Sequence, residues 1–186
     1  MIIGISGSHS QGKTTLVNAL QQREEFKDFV FKSGLTRDLH KLGIPINELG
    51  TDVTQLYVMC KHYEYSKSAG DVVLDRCALD GLAYTNVVLE DHDDSDFKHA
   101  LGIIARKCFK AYDIIFYVRP ELELEDDGTR TVDKKFFDRV VKSFEYWLDV
   151  IKTYRDPVRV VELHGSVDQR VEQVITALKN NNLILQ

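Results

Sequence analysis

The chain begins with a short apolar run, "MIIGIS", and then turns through "GSHSQGKTT" at residues 7–15 into "LVNAL". The turn fits G-x-x-x-x-G-K-[ST], with Gly7, Gly12, Lys13 and Thr14 at the fixed positions. No other stretch restricts the possible folds as strongly. Glycine lets consecutive backbone N–H groups converge on one anion, and the N-terminus of a helix adds its own unpaired N–H groups and its dipole. Such a loop therefore needs a buried strand behind it and a helix in front. The Ile-rich run supplies the strand, and Leu16, Ala19 and Leu20 recur at helical spacing.

The loop, made of Gly7, Ser8, His9, Ser10, Gln11, Gly12, Lys13, Thr14 and Thr15, is expected to hold the phosphates of ATP. Lys13 should reach the terminal phosphates as a point charge. The Thr14 hydroxyl should ligate Mg²⁺, a hard cation that takes oxygen ligands and keeps several waters. His9 occupies a variable position and lines the mouth.

The rest of the sequence alternates strand and helix. Strands are expected at residues 29–32, 71–75, 113–118 and 158–163, and helices at 51–69, 78–90, 132–154 and 166–179. The helix at 51–69 is expected to pack through Leu56, Met59, Cys60 and Tyr63. The helix at 132–154 should pack through Phe136, Val140, Phe144, Trp147 and Ile151. Ser166 and Gln169 are spaced as a capping box. Strands that are near-continuous Val and Ile runs imply a parallel sheet covered on both faces, an α/β three-layer sandwich. With 186 residues, this reads as a single domain over 1–186.

Composition narrows the function classes. Net charge is −5, which argues against a protein whose main task is coating nucleic acid. No apolar run has the length of a membrane span, and the N-terminus reads as a strand, not a signal peptide. Cys60, Cys77 and Cys108 lack C-x-x-C spacing and read as reduced, mostly buried thiols of a cytoplasmic protein.

Further candidates follow from position. Ligands of open parallel sheets bind at the carboxyl ends of the strands. "VVLDR" places Asp75 and Arg76 there, Asp75 for Mg²⁺ or as a base and Arg76 for an anionic acceptor. Arg37, with Asp38 beside it as a weaker base candidate, follows the second strand and is an acceptor-binding candidate. The charged connection at 119–135 has the length and composition of a lid. Arg130 is its catalytic cation, with Arg119 and Arg139 as alternates. The acidic run at 90–96 reads as a solvated loop, and "HGSVDQR" after the fifth strand lies where a nucleotide base could rest.

The phosphate loop, "LDRCALDGLAYTN" after the third strand, and "EDDGTR" before a long helix occur in that order. Together they resemble the nucleoside and nucleotide kinases among P-loop proteins, in particular the small AAA-type ATPase/kinase family that includes nicotinamide riboside kinase domains, and thymidylate-kinase-like enzymes. The resemblance rests on the Asp75-Arg76 pair with the Ala83-Tyr84 step, on Asp127, Gly128 and Arg130, and on Arg37. It implies five parallel strands in the order 2-3-1-4-5, a mobile lid, and transfer of the ATP γ-phosphate. Relatives often carry an acidic residue near the end of the second strand, where this chain has Ser33.

The leading functional expectation is a phosphotransferase acting on a small nucleotide-like acceptor. A deoxynucleoside monophosphate leads, because two arginines would face it. Nucleosides and nicotinamide riboside are alternatives. Another is DNA as substrate, through a basic cleft of Arg106, Lys107 and Lys110. A nucleotide-dependent switch is the reading from a different class, although the chain has no N-K-x-D element. A homodimer is compatible with any of these.

Overall fold

The computed structural model describes residues 1–91, 94–122, 133–153 and 158–184. In chain order these form β1 (Ile2–Ser6), α1 (Lys13–Gln21), β2 (Val30–Lys32), α2 (Leu35–Lys41), α3 (Asp52–Tyr65), β3 (Val72–Asp75), α4 (Ala78–Val88), α5 (Ser95–Phe109), β4 (Ile114–Val118), α6 (Lys134–Thr153), β5 (Arg159–Leu163) and α7 (Val167–Asn180). The strands make one parallel sheet in the order β2-β3-β1-β4-β5. The expected α/β sandwich, strand count and strand order are those observed.

The period of two along each strand separates the layers. Val72 and Leu74 of β3 and Ile115 and Tyr117 of β4 join Met59 of α3 and the apolar residues of α4, α5 and α6 in one core. Val73, Ile114, Phe116 and Val118 point to the opposite face, where Leu16 and Leu20 of α1 meet Val171, Val174 and Leu178 of α7. β1 and β4 are buried along their whole length, which is why they read as near-continuous apolar runs without a polar alternation. β2 is a three-residue edge strand and half exposed.

The start of α7 and the buried stripe of α6 follow their sequence signals closely. Ser166 Oγ accepts the Gln169 N–H at 3.3 Å, while Gln169 Oε1 accepts the Ser166 N–H at 2.8 Å, the reciprocal cap of α7. α6 buries Phe136, Val140, Phe144 and Ile151, with Trp147 half-buried on the same stripe.

Two expectations, the packing face of α3 and the acidic run as a loop, need correction. α3 turns Leu56, Cys60 and Tyr63 outward, so of the expected packing face only Met59 is buried. The buried side of α3 is instead polar, with Thr54, Gln55 and His62, because the helix borders a cavity as well as the core. Helices α2 and α5 were not anticipated. α5 starts inside the acidic run, where Asp94 accepts the Phe97 N–H at 2.8 Å, so Asp94 caps the helix and Asp96 in its first turn lies near the positive end of its dipole. Of the thiols, Cys77 and Cys108 are buried and Cys60 is exposed. Residues 123–132, most of the expected lid, lie outside the described residues. No helix among the described residues is long and apolar enough to cross a membrane.

Phe144 has no exposed surface, and its ring lies 5.4 Å from that of Tyr117 and 6.4 Å from that of Tyr84. Phe144→Ala should cost about 3–5 kcal/mol, read as a lower urea midpoint with an unchanged slope. A cost under about 1 kcal/mol would contradict this packing.

Candidate active site

β1 delivers the chain into the phosphate loop at the C-terminal edge of the sheet. Gly7 has φ +144°, and a Cβ there would stand 2.6 Å from the Val118 carbonyl oxygen, so only glycine lets the loop cross β4 this closely. Gly12, at φ +74°, turns the loop into α1. Lys13 is buried and its Nζ donates to the Ser8 carbonyl, folding the cation back over the loop.

The loop is anchored from below by α7. The buried Arg170 Nη1 donates to the Gln11 carbonyl at 2.8 Å, and Nη2 to Glu121 Oε2 at 3.2 Å. Gln11 exchanges side-chain hydrogen bonds with the Leu122 backbone at 2.9 and 2.8 Å. Glu121 also accepts the Gly165 N–H at 2.7 Å and meets His164 Nδ1 at 2.9 Å. The Gly165 N–H, then His164 and Arg170, hold the Glu121 carboxyl below the usual carboxylate range. Thus "HGSVDQR" after β5 does border the loop.

On the other flank the ends of β3 and α4 meet the loop. Thr14 Oγ1 donates to Asp75 Oδ2 at 2.9 Å, joining the two residues expected at a Mg²⁺ site. Two adjacent hard oxygen donors fit a Mg²⁺ that completes its shell with nucleotide phosphate and water. Arg76 follows at φ +82°, unusual for a residue with a Cβ, and its N–H donates to the Ile5 carbonyl at 2.9 Å. Its guanidinium lies 3.6 Å from Asp80 and over the Tyr84 ring. Buried Asp80 accepts the Cys77 N–H at 3.0 Å and faces the Gly7 N–H at 3.4 Å. Burial raises its pKa, opposed by the charges of Arg76 and Lys13. The Tyr84 hydroxyl accepts the His9 N–H at 3.2 Å and lies 3.0 Å from His9 Nδ1, so His9 is a buried part of the loop's packing and not an open mouth residue.

Beside Arg76, Asp80 and Tyr84 lies a pocket that opens to solvent and encloses a volume of only about 50 Å³. Leu35, Thr36 and Leu39 of α2, Ile46 and Asn47, and Thr54, Gln55, Val58 and His62 of α3 form its far wall. His62 is 1% exposed, and neither ring nitrogen has a hydrogen-bond partner among the described residues. Burial, then the charge of Arg76, pushes its pKa down to about 3.

The structure thus brings Lys13, Thr14, Asp75 and Arg76 together around the loop. Arg37 and Asp38 are exposed on α2 and do not line the cavity, and Asp38 lies 3.6 Å from Lys41. Arg130 lies outside the described residues. Arg119 pairs with Glu162 at 3.4 Å, and Arg139 is held by Glu90 and the Val87 carbonyl. Arg106, Lys107 and Lys110 close α5 just before β4 begins, at the sheet edge opposite the phosphate loop. These three basic residues therefore lie away from the phosphate loop.

Arg170, Asp80, Gln55 and His62 were missed. Arg170 looks like a solvated helix residue, and polar residues on the buried side of α3 read as its outer face. Asp80 carried a signal, an acid at the third position of a helix that begins without a Ser or Thr cap.

The sequence has a counterpart to this geometry, since residues 2–170 match the AAA domain family. The chain belongs to the AAA domain family. No curated protein matches this AAA-family chain significantly. Among solved structures, the deoxyadenosine kinase from M. mycoides, with products dCMP and a flexible dCDP bound, is 17% identical with a TM-score of 0.66, covering 97% of this chain and 100% of that one. A NadR protein in complex with NAD and AMP-PNP is 18% identical with a TM-score of 0.70, covering 96% of this chain and 48% of that one, so the AAA-family chain spans about half of NadR. The YorR protein from Bacillus subtilis, in complex with phosphorylated GDP, is 14% identical with a TM-score of 0.60, and both chains are covered fully. At these identities the likeness establishes a shared fold.

The buried imidazole has a consequence for stability. An unfolded histidine protonates near pH 6.5, whereas folded His62, among Arg76, Asp80 and Tyr84, stays neutral to about 3. As pH falls from 6.5 toward 3, the unfolded chain takes up a proton that the folded one refuses, and stability is lost. Urea midpoints measured from pH 7 to pH 4 should fall less steeply in His62→Leu than in wild type. Parallel curves would contradict a buried neutral ring.

Proposed function

We propose that this protein transfers the γ-phosphoryl group of ATP to the hydroxyl of a nucleoside-like acceptor bound in the cavity beside Arg76. The observation that carries this reading is the continuity of two sites. A phosphate loop with Lys13, Thr14 and Asp75 opens directly, through Asp80, Arg76 and Tyr84, onto a cavity with mixed apolar and polar walls. A protein that only bound and released a nucleotide would have no use for the second chamber. The solved kinases of the same fold agree with the reading without deciding it.

In this reading the loop N–H groups and Lys13 hold the triphosphate, and Lys13 leaves the Ser8 carbonyl to reach the phosphate. Thr14 and Asp75 hold Mg²⁺, which offsets phosphate charge when bound. The acceptor oxygen forms a bond to the γ-phosphorus as the bond to the β,γ-bridging oxygen breaks. The hydroxyl proton leaves to a carboxylate or to water, and ADP departs. Such transfers proceed mainly by positioning and charge stabilisation, so a strong base is not needed. Arg76, fixed by Asp80 and Tyr84, orients the acceptor. Arg130, placed by sequence alone, would add charge at the transferring group.

We favour a nucleoside over a monophosphate as acceptor. The preference for a monophosphate assumed two arginines facing it. Among the described residues Arg76 is the one arginine lining the cavity, and Asp80 lies 3.6 Å from it.

Three variants separate the roles. Lys13→Ala should abolish transfer with the fold intact, and Asp75→Asn should slow turnover about 10²-fold or more. Arg76→Ala should raise the KM of the acceptor more than that of ATP. The decisive measurement is Mg²⁺-dependent ADP formation against nucleosides, nucleoside monophosphates, nicotinamide riboside and 5′-hydroxyl DNA. Tight ATP binding with no acceptor-stimulated turnover would refute the proposal and favour a nucleotide-dependent switch.

A further inference from the structure

The proposed acceptor cavity holds a group that folding leaves without a partner among the described residues. Both His62 ring nitrogens are buried and unbonded among the described residues, and the ring lines the cavity. A buried polar group without partners costs stability, and an apolar side chain of similar size would avoid that cost. The position calls for a ligand that supplies the missing hydrogen bonds.

The surroundings restrict that ligand. A neutral imidazole offers one N–H donor and one nitrogen acceptor, and the nearby Gln55 amide can offer the same pair. Leu35, Leu39 and Val58 give the chamber apolar walls suited to a flat ring. A cationic ring is poorly served. Arg76 already places a positive charge at the cavity, and Asp80, the one carboxylate lining it among the described residues, is engaged by Arg76 and by the N–H groups of Cys77 and Gly7. A second buried cation there would lack a counter-charge.

We propose that His62 is a specificity residue of the acceptor cavity, where its imidazole hydrogen-bonds the uncharged, donor-and-acceptor edge of a nucleobase and disfavours a cationic pyridinium ring. The inference rests on the cavity being the acceptor site. Gly81 leaves room for the arrangement, since a Cβ there would stand 3.4 Å from His62 Cδ2 and 2.9 Å from Met59 Cε.

The test compares wild type, His62→Leu and His62→Gln. The probes are the common ribo- and deoxynucleosides and nicotinamide riboside. Nucleosides with uncharged bases should be the better acceptors of wild type. His62→Leu should raise the KM of the best one roughly tenfold to a hundredfold, with the KM of ATP and the thermal midpoint held or the midpoint raised. His62→Gln, which restores a donor and an acceptor, should recover much of the loss. A preference for nicotinamide riboside would overturn the inference. So would an unchanged acceptor KM in His62→Leu, while the phosphotransfer reading survived. Should wild type phosphorylate none of the probes, that reading falls, and calorimetric titration with the same nucleosides decides this one alone. Binding weakened by His62→Leu sustains it, and absence of binding overturns it.

Discussion

One buried carboxylate connects the parts of this molecule that matter most. Asp80 faces the Gly7 N–H at the start of the phosphate loop, caps its own helix through the Cys77 N–H and balances Arg76. Burying a charge this deeply is costly unless it is paired and hydrogen-bonded, and the surrounding groups meet that condition. The loop, the end of β3 and the first turn of α4 are therefore held in fixed relation. The unusual φ of Arg76 is sustained by the same junction, which aims its guanidinium across the Tyr84 ring.

A second junction fixes the opposite flank. Arg170 reaches from α7 to the Gln11 carbonyl and to Glu121, and Glu121 in turn holds Gly165. The phosphate loop is thus clamped between the last helix and the segment after β4. Glycine at positions 7 and 12 supplies the shape of the loop, and these polar contacts keep it. The two clamps leave the face toward phosphate formed by backbone N–H groups and Lys13.

The layers and the phosphate loop were legible in the sequence because each repeats one short-range signal, whereas the strand order followed only from the family resemblance. Buried parallel strands are continuous apolar runs, α6 carries a clean stripe, and the loop motif has fixed spacing. The pairing of Thr14 with Asp75 could be anticipated, since both follow from strand ends at one edge of a parallel sheet. The cavity beside Arg76 could not. The side of α3 that borders it buries Thr54, Gln55 and His62 where a buried helix face should be apolar, so hydropathy assigned the wrong side of α3 to the interior. The placement of Arg37 was hidden for a related reason. Its position after β2 is right for the cleft, but the turn of α2 sends Leu35 and Leu39 inward and leaves Arg37 in solvent. Distance along the chain fixes which edge a residue reaches, and helix phase decides which way it points.

The two walls of the cavity differ in origin. Arg76, Asp80, Gly81 and Tyr84 come from β3 and α4, beside the invariant requirements of phosphate binding. Every other lining residue, from Leu35 to His62, belongs to one excursion of the chain between the short edge strand β2 and β3. An excursion hung on an edge strand can be lengthened, shortened or exchanged without disturbing the order of the sheet. Selection, or an engineer, can rewrite that wall as a unit while the phosphate side is inherited unchanged.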